Sequence, residues 1–424
     1  MRRPVALIAL TALAVTGCAD NASEPTAGPA TVPSSTVPTT GSVDPGTTPA
    51  TTPAETPSAT AQQTQPPTQA PTEAPTSAAS CVDQKLQALT LRERAGQLIM
   101  TGIAAAGMTS AQRSVVRQQK SGGVFLVGDS GSLTSTRTAT AAVTAAATVE
   151  GVRPLIAADQ EGGKIQRLKG SGFDRIPAAT IQGTWSSSKL TTQAKRWGRQ
   201  LKDAGVNVDL APVGDVVPSS LKSENAPIGQ LDREYGNTPE DAGRGVQAFV
   251  QGMRAAGVAT SVKHFPGLGR VRGNTDFSAG VTDDVTVRGD AGLRPFAEAI
   301  KAGTSMVMIS TVTYTRIDPK NRAVFSPTVI QGMVRGDLGW HGVVITDDVG
   351  SAAEVQSVPA GERATRFVAA GGDIVINAEA RLTATMVNAL VAKAGEDKLF
   401  AAKLTSSVRR VLTLKQSNGL VSCG

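Results

Sequence analysis

From residue 98 onward, short apolar runs rich in valine and isoleucine alternate with longer stretches whose apolar positions recur every three to four residues. The runs are LIMTGI at 98, GGVFLVG at 122, PLIAADQ at 154, VNVDLAPV at 206, ATSVKHFP at 259, SMVMIST at 305, GVVITDD at 342 and DIVINA at 373. Nearly continuous apolar runs of this length suit strands buried on both faces, as in a parallel sheet. Between them, TTQAKRWGRQLKDAG, PEDAGRGVQAFVQGMRAAG and GLRPFAEAIKAG each carry one apolar stripe and close on glycine, the pattern of an amphipathic helix with a C-terminal stop. Eight strands alternating with helices predict an α/β fold, a (β/α)8 TIM-type barrel forming a single catalytic domain, in preference to an open doubly wound sheet.

Polar residues are not scattered along these runs. They gather at the C-terminal ends: Asp159 and Glu161, Asp209 and Asp215, Lys263 and His264, Asp347 and Asp348, and Asn377. In a barrel, that rim is where loops build the active site. A purely structural sheet has little reason to collect carboxylates, a lysine and a histidine at one end.

Before residue 81 the alternating pattern is absent. The opening MRRPVALIALTALAVTGC has two arginines, an apolar run too short to span a bilayer, and small residues ahead of Cys18. This predicts a secretion signal over residues 1–18, of the bacterial lipoprotein type with Cys18 lipidated; an ordinary cleaved signal is the alternative. Residues 19–80 are dominated by Thr, Pro, Ser and Ala, too poor in large apolar groups to form a core, and read as an extended tether open to O-glycosylation. The expected location is the outer face of the cell membrane, with residues 81–424 held in the cell-wall space by the lipid anchor. Cys81 and Cys423 bound this domain, and an exported compartment permits them to pair; two free thiols are the alternative. No cysteine then remains for a catalytic thiol, and the chain has two histidines, so neither a metal nor a cofactor is expected. The formal charge is +7, with the basic residues dispersed. That suits a wall rich in anionic polymers and argues against a nucleic-acid partner. A monomer is expected.

Two segments carry the candidate chemistry. GVVITDDVG delivers Asp347 and Asp348 from a buried strand into the rim, where a carboxylate serves as nucleophile or general base, or else caps the next helix. DQEGGKIQRL places Asp159 and Glu161 before two glycines that permit close backbone approach to a ligand, with Arg167 following. Asp159 there either accepts hydrogen bonds from sugar hydroxyls or caps a turn.

The segments AADQEGGKIQRL, NVDLAPVGDV, IGQLDREYGNTPEDAG, VKHFPGLG and VVITDDVG resemble, in order and approximate spacing, the motifs of bacterial β-N-acetylglucosaminidases of glycoside hydrolase family 3. The resemblance covers essentially residues 85 to 420. It implies one (β/α)8 barrel and a retaining mechanism through a covalent glycosyl-enzyme. Asp347 then corresponds to the nucleophile, and Asp159, Arg167, Arg233, Lys263 and His264 to the sugar-binding residues, whose hydrogen bonds tighten in the transition state. His264 as a satisfied core histidine is the alternative.

One loop departs from the family pattern. Where the relatives end the loop in Asp-Ser-His, the histidine being the acid/base, this chain has Asn274, Thr275 and Asp276, and Leu268 replaces an earlier histidine. The other histidine, His341, lies in the approach to the seventh strand. Two readings follow. In one, Asp276 is the acid/base with Asn274 as its hydrogen-bonding support, since retaining glycosidases commonly pair two carboxyls. In the other, the acid is lost and the domain is a wall-glycan-binding pseudoenzyme or a slowed enzyme. Glu161, Asp283 and Asp284 are fallback acids, although the last two fit a solvated turn. Thr311 also stands where the family commonly has histidine. Few aromatic residues, 3% of the chain, leave no obvious stacking platform for a long polysaccharide, which favours an exo mode. The expected activity is removal of terminal β-linked N-acetylglucosamine, from peptidoglycan fragments in wall turnover, with a β-glucosidase of the same family as the rival enzyme. The KHFPG loop argues against that rival.

Overall fold

A computed structural model describes residues 80–422. The signal, Cys18, the tether up to residue 79 and Cys423 lie outside the described residues. All eight apolar runs form strands: β1 (Ile99–Ala104), β2 (Gly123–Val127), β3 (Leu155–Ala158), β4 (Val208–Asp209), β5 (Ala259–Phe265), β6 (Met306–Ile309), β7 (Val343–Thr346) and β8 (Val375–Asn377). They pair in parallel and in chain order, for example Met100 with Gly123, Ala157 with Val208 and Met306 with Val343. β8 returns to β1 through Ile99 and Val375. A bridge between Ile345 and Ile374 closes the ring, with the Thr346 N–H donating to the Ile374 carbonyl at 3.0 Å.

Every residue of β3, β5, β6, β7 and β8 is buried, because each strand has side chains inside the barrel on one face and helices on the other. The helices begin and end where local chemistry dictates. Thr90 and Thr109 close capping boxes with Glu93 and Gln112, and Thr238 caps a helix opened by Pro239. The predicted helices appear as Ser187–Asp203, Pro239–Ala255 and Arg294–Ala302. The first two lie so close at Gly252 that a Cβ there would sit 2.5 Å from the Ala194 methyl, and Trp197 meets Phe249 at 6.4 Å between ring centroids.

The N-terminal helix Cys81–Ala88 docks on the C-terminal helix Lys398–Ser417, an ion pair joining Asp83 to Arg409. Cys81 is disulfide-bonded. Between β5 and the next helix runs a long loop, residues 266–293, pinned at Leu268 and Val271 by the Asn225 amide, which donates to both carbonyls at 2.7 Å. Loops of this length in a compact barrel are where function concentrates.

Candidate active site

The end of β5 carries two side chains into the rim, and each is held by an acid from a neighbouring strand. Lys263, 2% exposed, places its Nζ 2.6 Å from both Asp159 and Glu161 at the end of β3. Glu161 also takes a bidentate pair from Arg233, at 2.9 and 2.8 Å, while the same guanidinium donates to the Pro227 carbonyl. Burial alone would raise the Glu161 pKa, but the charges of Arg233 and Lys263 together bring it down to about 2. Glu161 therefore stays ionised at any working pH and is removed from the list of possible acids. Arg233 lines the pocket, and through this pair it positions Glu161.

His264 Nδ1 lies 2.8 Å from Asp215 Oδ2, and the other oxygen of Asp215 accepts from the backbone N–H groups of His264 and Leu268. One fully buried carboxylate thus orients the imidazole and anchors the start of the following loop. Near Lys263, Asp209 is also fully buried; its Oδ1 accepts from the Gln160 N–H at 3.1 Å. Its Oδ2 has no partner among the described residues. Burial pushes its carboxyl up to about 8, so it carries a proton at neutral pH.

From β7 come two adjacent aspartates with different duties. Asp348 holds the loop: its oxygens accept from the N–H groups of Gly350, Ser351 and Ala378 at 2.8–3.0 Å. Asp347 makes one such contact, from the Asp348 N–H at 2.8 Å, and otherwise lines the pocket.

Asp276 lies in the long loop after β5. Asn274 Oδ1 accepts from the Asp276 backbone N–H at 2.9 Å, so Asn274 shapes the turn and supports the backbone; the expected bond to the carboxyl is replaced by this Asx turn. The turn is fastened to the loop after β7. Ala353 and Glu354 donate their N–H groups to the carbonyls of Asp276 and Thr275, at 3.2 and 3.1 Å. The Glu354 side chain, 2% exposed, accepts from the Val281 N–H at 2.8 Å and pairs with Arg322 at 2.8 Å. Asp276 keeps an open side toward the pocket, yet the enclosing walls, and then the negative charge of Asp347, raise its carboxyl to about 6.

Asp347, Asp276, Asp159, Arg167, Arg233, Lys263 and His264 all line a single pocket of about 610 Å³ at the C-terminal rim. Arg167 makes no side-chain hydrogen bond or ion pair among the described residues. The pocket excludes the remaining fallback acids: Asp283 is buried and satisfied by Val285 and Thr286, a correction to the solvated turn expected for it, and Asp284 is exposed elsewhere. Thr311 is fully buried with its hydroxyl unpaired among the described residues, and does not line the pocket. Sequence reading missed Glu354; its only signal is a lone acid among small residues just past the Asp347 strand.

A closed parallel barrel that gathers two carboxyls of unlike environment and a buried ion-pair cluster into one rim pocket defines the class of barrel glycosidases. Comparison with known proteins supplies the family. Residues 90–414 match the glycosyl hydrolase family 3 N terminal domain. A β-hexosaminidase of Xanthomonas campestris pv. campestris is 29% identical over 308 residues, 70% of this chain and 88% of its own length. The structure of a β-N-acetylhexosaminidase from Beutenbergia cavernae superimposes with a TM-score of 0.76 at 45% identity, covering 77% of this chain and 99% of that one. That of M. tuberculosis LpqI does so with 0.69 at 26% identity, covering 80% and 96%. The chain belongs to glycosyl hydrolase family 3 and is a glycoside hydrolase.

Proposed function

We propose that this protein is a retaining exo-β-N-acetylhexosaminidase that removes terminal β-linked N-acetylglucosamine, with Asp347 as nucleophile and Asp276 as acid/base. The observation that carries the reading is that one rim pocket holds both carboxyls, with that of Asp276 raised to about 6 by its walls and by the Asp347 charge. A carboxyl raised in this way can hold the proton while a neighbouring carboxylate attacks. Asp347 forms a bond to the anomeric carbon as the glycosidic C–O bond breaks, and Asp276 gives its proton to the departing oxygen. In the second step Asp276 takes a proton from water, which attacks the anomeric carbon and releases Asp347. Lys263, held by Asp159 and Glu161, and His264, held by Asp215, have fixed positions from which to bind ring hydroxyls, so little reorganisation is needed as charge develops.

The substrate class follows the names of the relatives, a β-hexosaminidase and a β-N-acetylhexosaminidase. Export, lipidation at Cys18, the 19–80 tether and pairing of Cys81 with Cys423 fit a protein acting on peptidoglycan fragments outside the membrane. Turnover of an aryl β-N-acetylglucosaminide, set beside the matching β-glucoside and natural muropeptides, tests the reading. Hydrolysis of the acetylated sugar, lost in Asp347→Ala, supports it; preference for the glucoside makes the protein a β-glucosidase. Muropeptide binding with no turnover of any of them makes it a binding module.

A further inference from the structure

One aromatic ring stands next to the proposed acid with no partner among the described residues to account for its position. Phe277 is 84% exposed, and it and Val127 are two of the six large apolar residues that remain exposed among the described residues; both line the active-site pocket. Fraying does not explain the exposure. The Phe277 and Ser278 N–H groups donate to the Asn274 carbonyl at 3.1 and 2.9 Å, and the Asp276 carbonyl is fastened to Ala353. The backbone under the ring is therefore fixed while the ring projects outward.

Resting on the assignment of Asp276 as the acid, the position of this ring follows from the chemistry. The proton of Asp276 goes to the oxygen that joins the cleaved sugar to its leaving group. Everything beyond that oxygen must leave the pocket past Asp276, and Phe277, its neighbour in the chain, is an exposed residue of the same pocket lining. We propose that Phe277, with Val127 at the same mouth, forms the subsite for the first leaving-group sugar, whose apolar C–H face stacks on the phenyl ring. A flat apolar ring offers contact area without directional polar demands, so this subsite selects for a pyranose leaving group and tolerates different substituents on its edge. Reading a leaving group in this way draws remote binding energy into the step that breaks the bond. It also revises the expectation that the chain lacks a stacking platform: one ring serves one leaving sugar, consistent with exo cleavage.

The test compares kcat/KM of the full-length protein and of Phe277→Ala and Phe277→Trp on two substrates. One is N,N′-diacetylchitobiose, whose leaving group is a sugar; the other is β-N-acetylglucosaminyl fluoride, whose leaving group has no ring. The ratio of the two values should fall roughly three- to tenfold in Phe277→Ala, the size of a partial aromatic stacking contact, and recover in Phe277→Trp. An unaltered ratio overturns the proposal, and so does a lowered ratio accompanied by a displaced pH limb of the Asp276 carboxyl, which would mean that Phe277 only shapes the acid's loop. If the parent hydrolyses neither, the hexosaminidase reading has failed, and the subsite is then read by calorimetry. Tighter binding of the disaccharide than of N-acetylglucosamine, lost in Phe277→Ala, supports the platform; equal losses for both sugars, or none, overturn it.

Discussion

Replacing Asp276 by alanine removes the group that has to protonate the leaving oxygen while leaving Asp347 and the ion pairs under the sugar in place. The size of the effect depends on how much help the leaving group needs. For a sugar leaving group, loss of general acid catalysis should lower kcat/KM by about 10²–10⁴; for an activated aryl leaving group or the fluoride, the first step should fall far less. The structure also fixes a pH dependence. The Asp276 carboxyl is raised to about 6, so its protonated, working fraction is about nine-tenths at pH 5 and about one-tenth at pH 7. Activity on the disaccharide should therefore decline as pH rises through 6, by about tenfold per unit well above it. Because the side chain is open to the pocket on one side, water screens part of the effect in the free enzyme. A bound sugar displaces that water, so the limb in kcat should lie above the limb in kcat/KM. The assay is a pair of pH–rate profiles, parent and Asp276→Ala, on the disaccharide and on the aryl substrate. A limb near pH 6 that survives in Asp276→Ala, or equal losses on both substrates, would refute Asp276 as the acid.

The adjacent aspartates of β7 should separate cleanly. Asp347→Asn should lower turnover by roughly 10³-fold or more at a nearly unchanged melting temperature, whereas Asp348→Ala strips the acceptor from the Gly350, Ser351 and Ala378 N–H groups and should cost about 2–3 kcal/mol in denaturant unfolding. Glu161→Gln leaves Arg233 and Lys263 short of a buried partner and should destabilise by about 3–5 kcal/mol. The Glu161 carboxyl is held at about 2 against its ordinary value of 4.5, so its share of stability is fully present above pH 4.5 and lost as pH falls through 2, which acid titration of parent and variant would reveal. At the other end of the fold, Lys415 is fully buried with its Nζ on the Gln97 side-chain oxygen at 2.6 Å, and burial lowers it to about 7. The unfolded chain then binds more protons than the native one between about pH 7 and 10.5, so parent stability rises with pH across that window. Lys415→Met should stabilise by roughly 2–4 kcal/mol near pH 7 and progressively less toward pH 10.5; a pH-independent difference would count against a neutral buried lysine.

The amino-acid sequence alone determined the barrel, its eight strands and the rim where chemistry gathers, because each depends on short-range information. A strand buried on two faces must read as an apolar run, and a helix against it as a stripe of period 3.6. It also singled out Asp347, Asp276, Asp159, Arg167, Arg233, Lys263 and His264, all of which the fold brings to one pocket. The division of labour among them was decided by tertiary structure. Lys263 meets Asp159 across 104 residues of chain, and Arg233 meets Glu161 across 72; no local pattern encodes which acid a buried cation will find. ITDD does not show that Asp348 ties down a loop while the Asp347 side chain makes a single backbone contact, and Asn274, expected to support the Asp276 acid, shapes its turn instead. The raised carboxyl of Asp276 arises only when the loop after β5 is stitched by Ala353 and Glu354 to the loop after β7. Charge and desolvation act through space over a few ångströms, so a pKa is a property of the assembled site, whereas periodicity belongs to the chain.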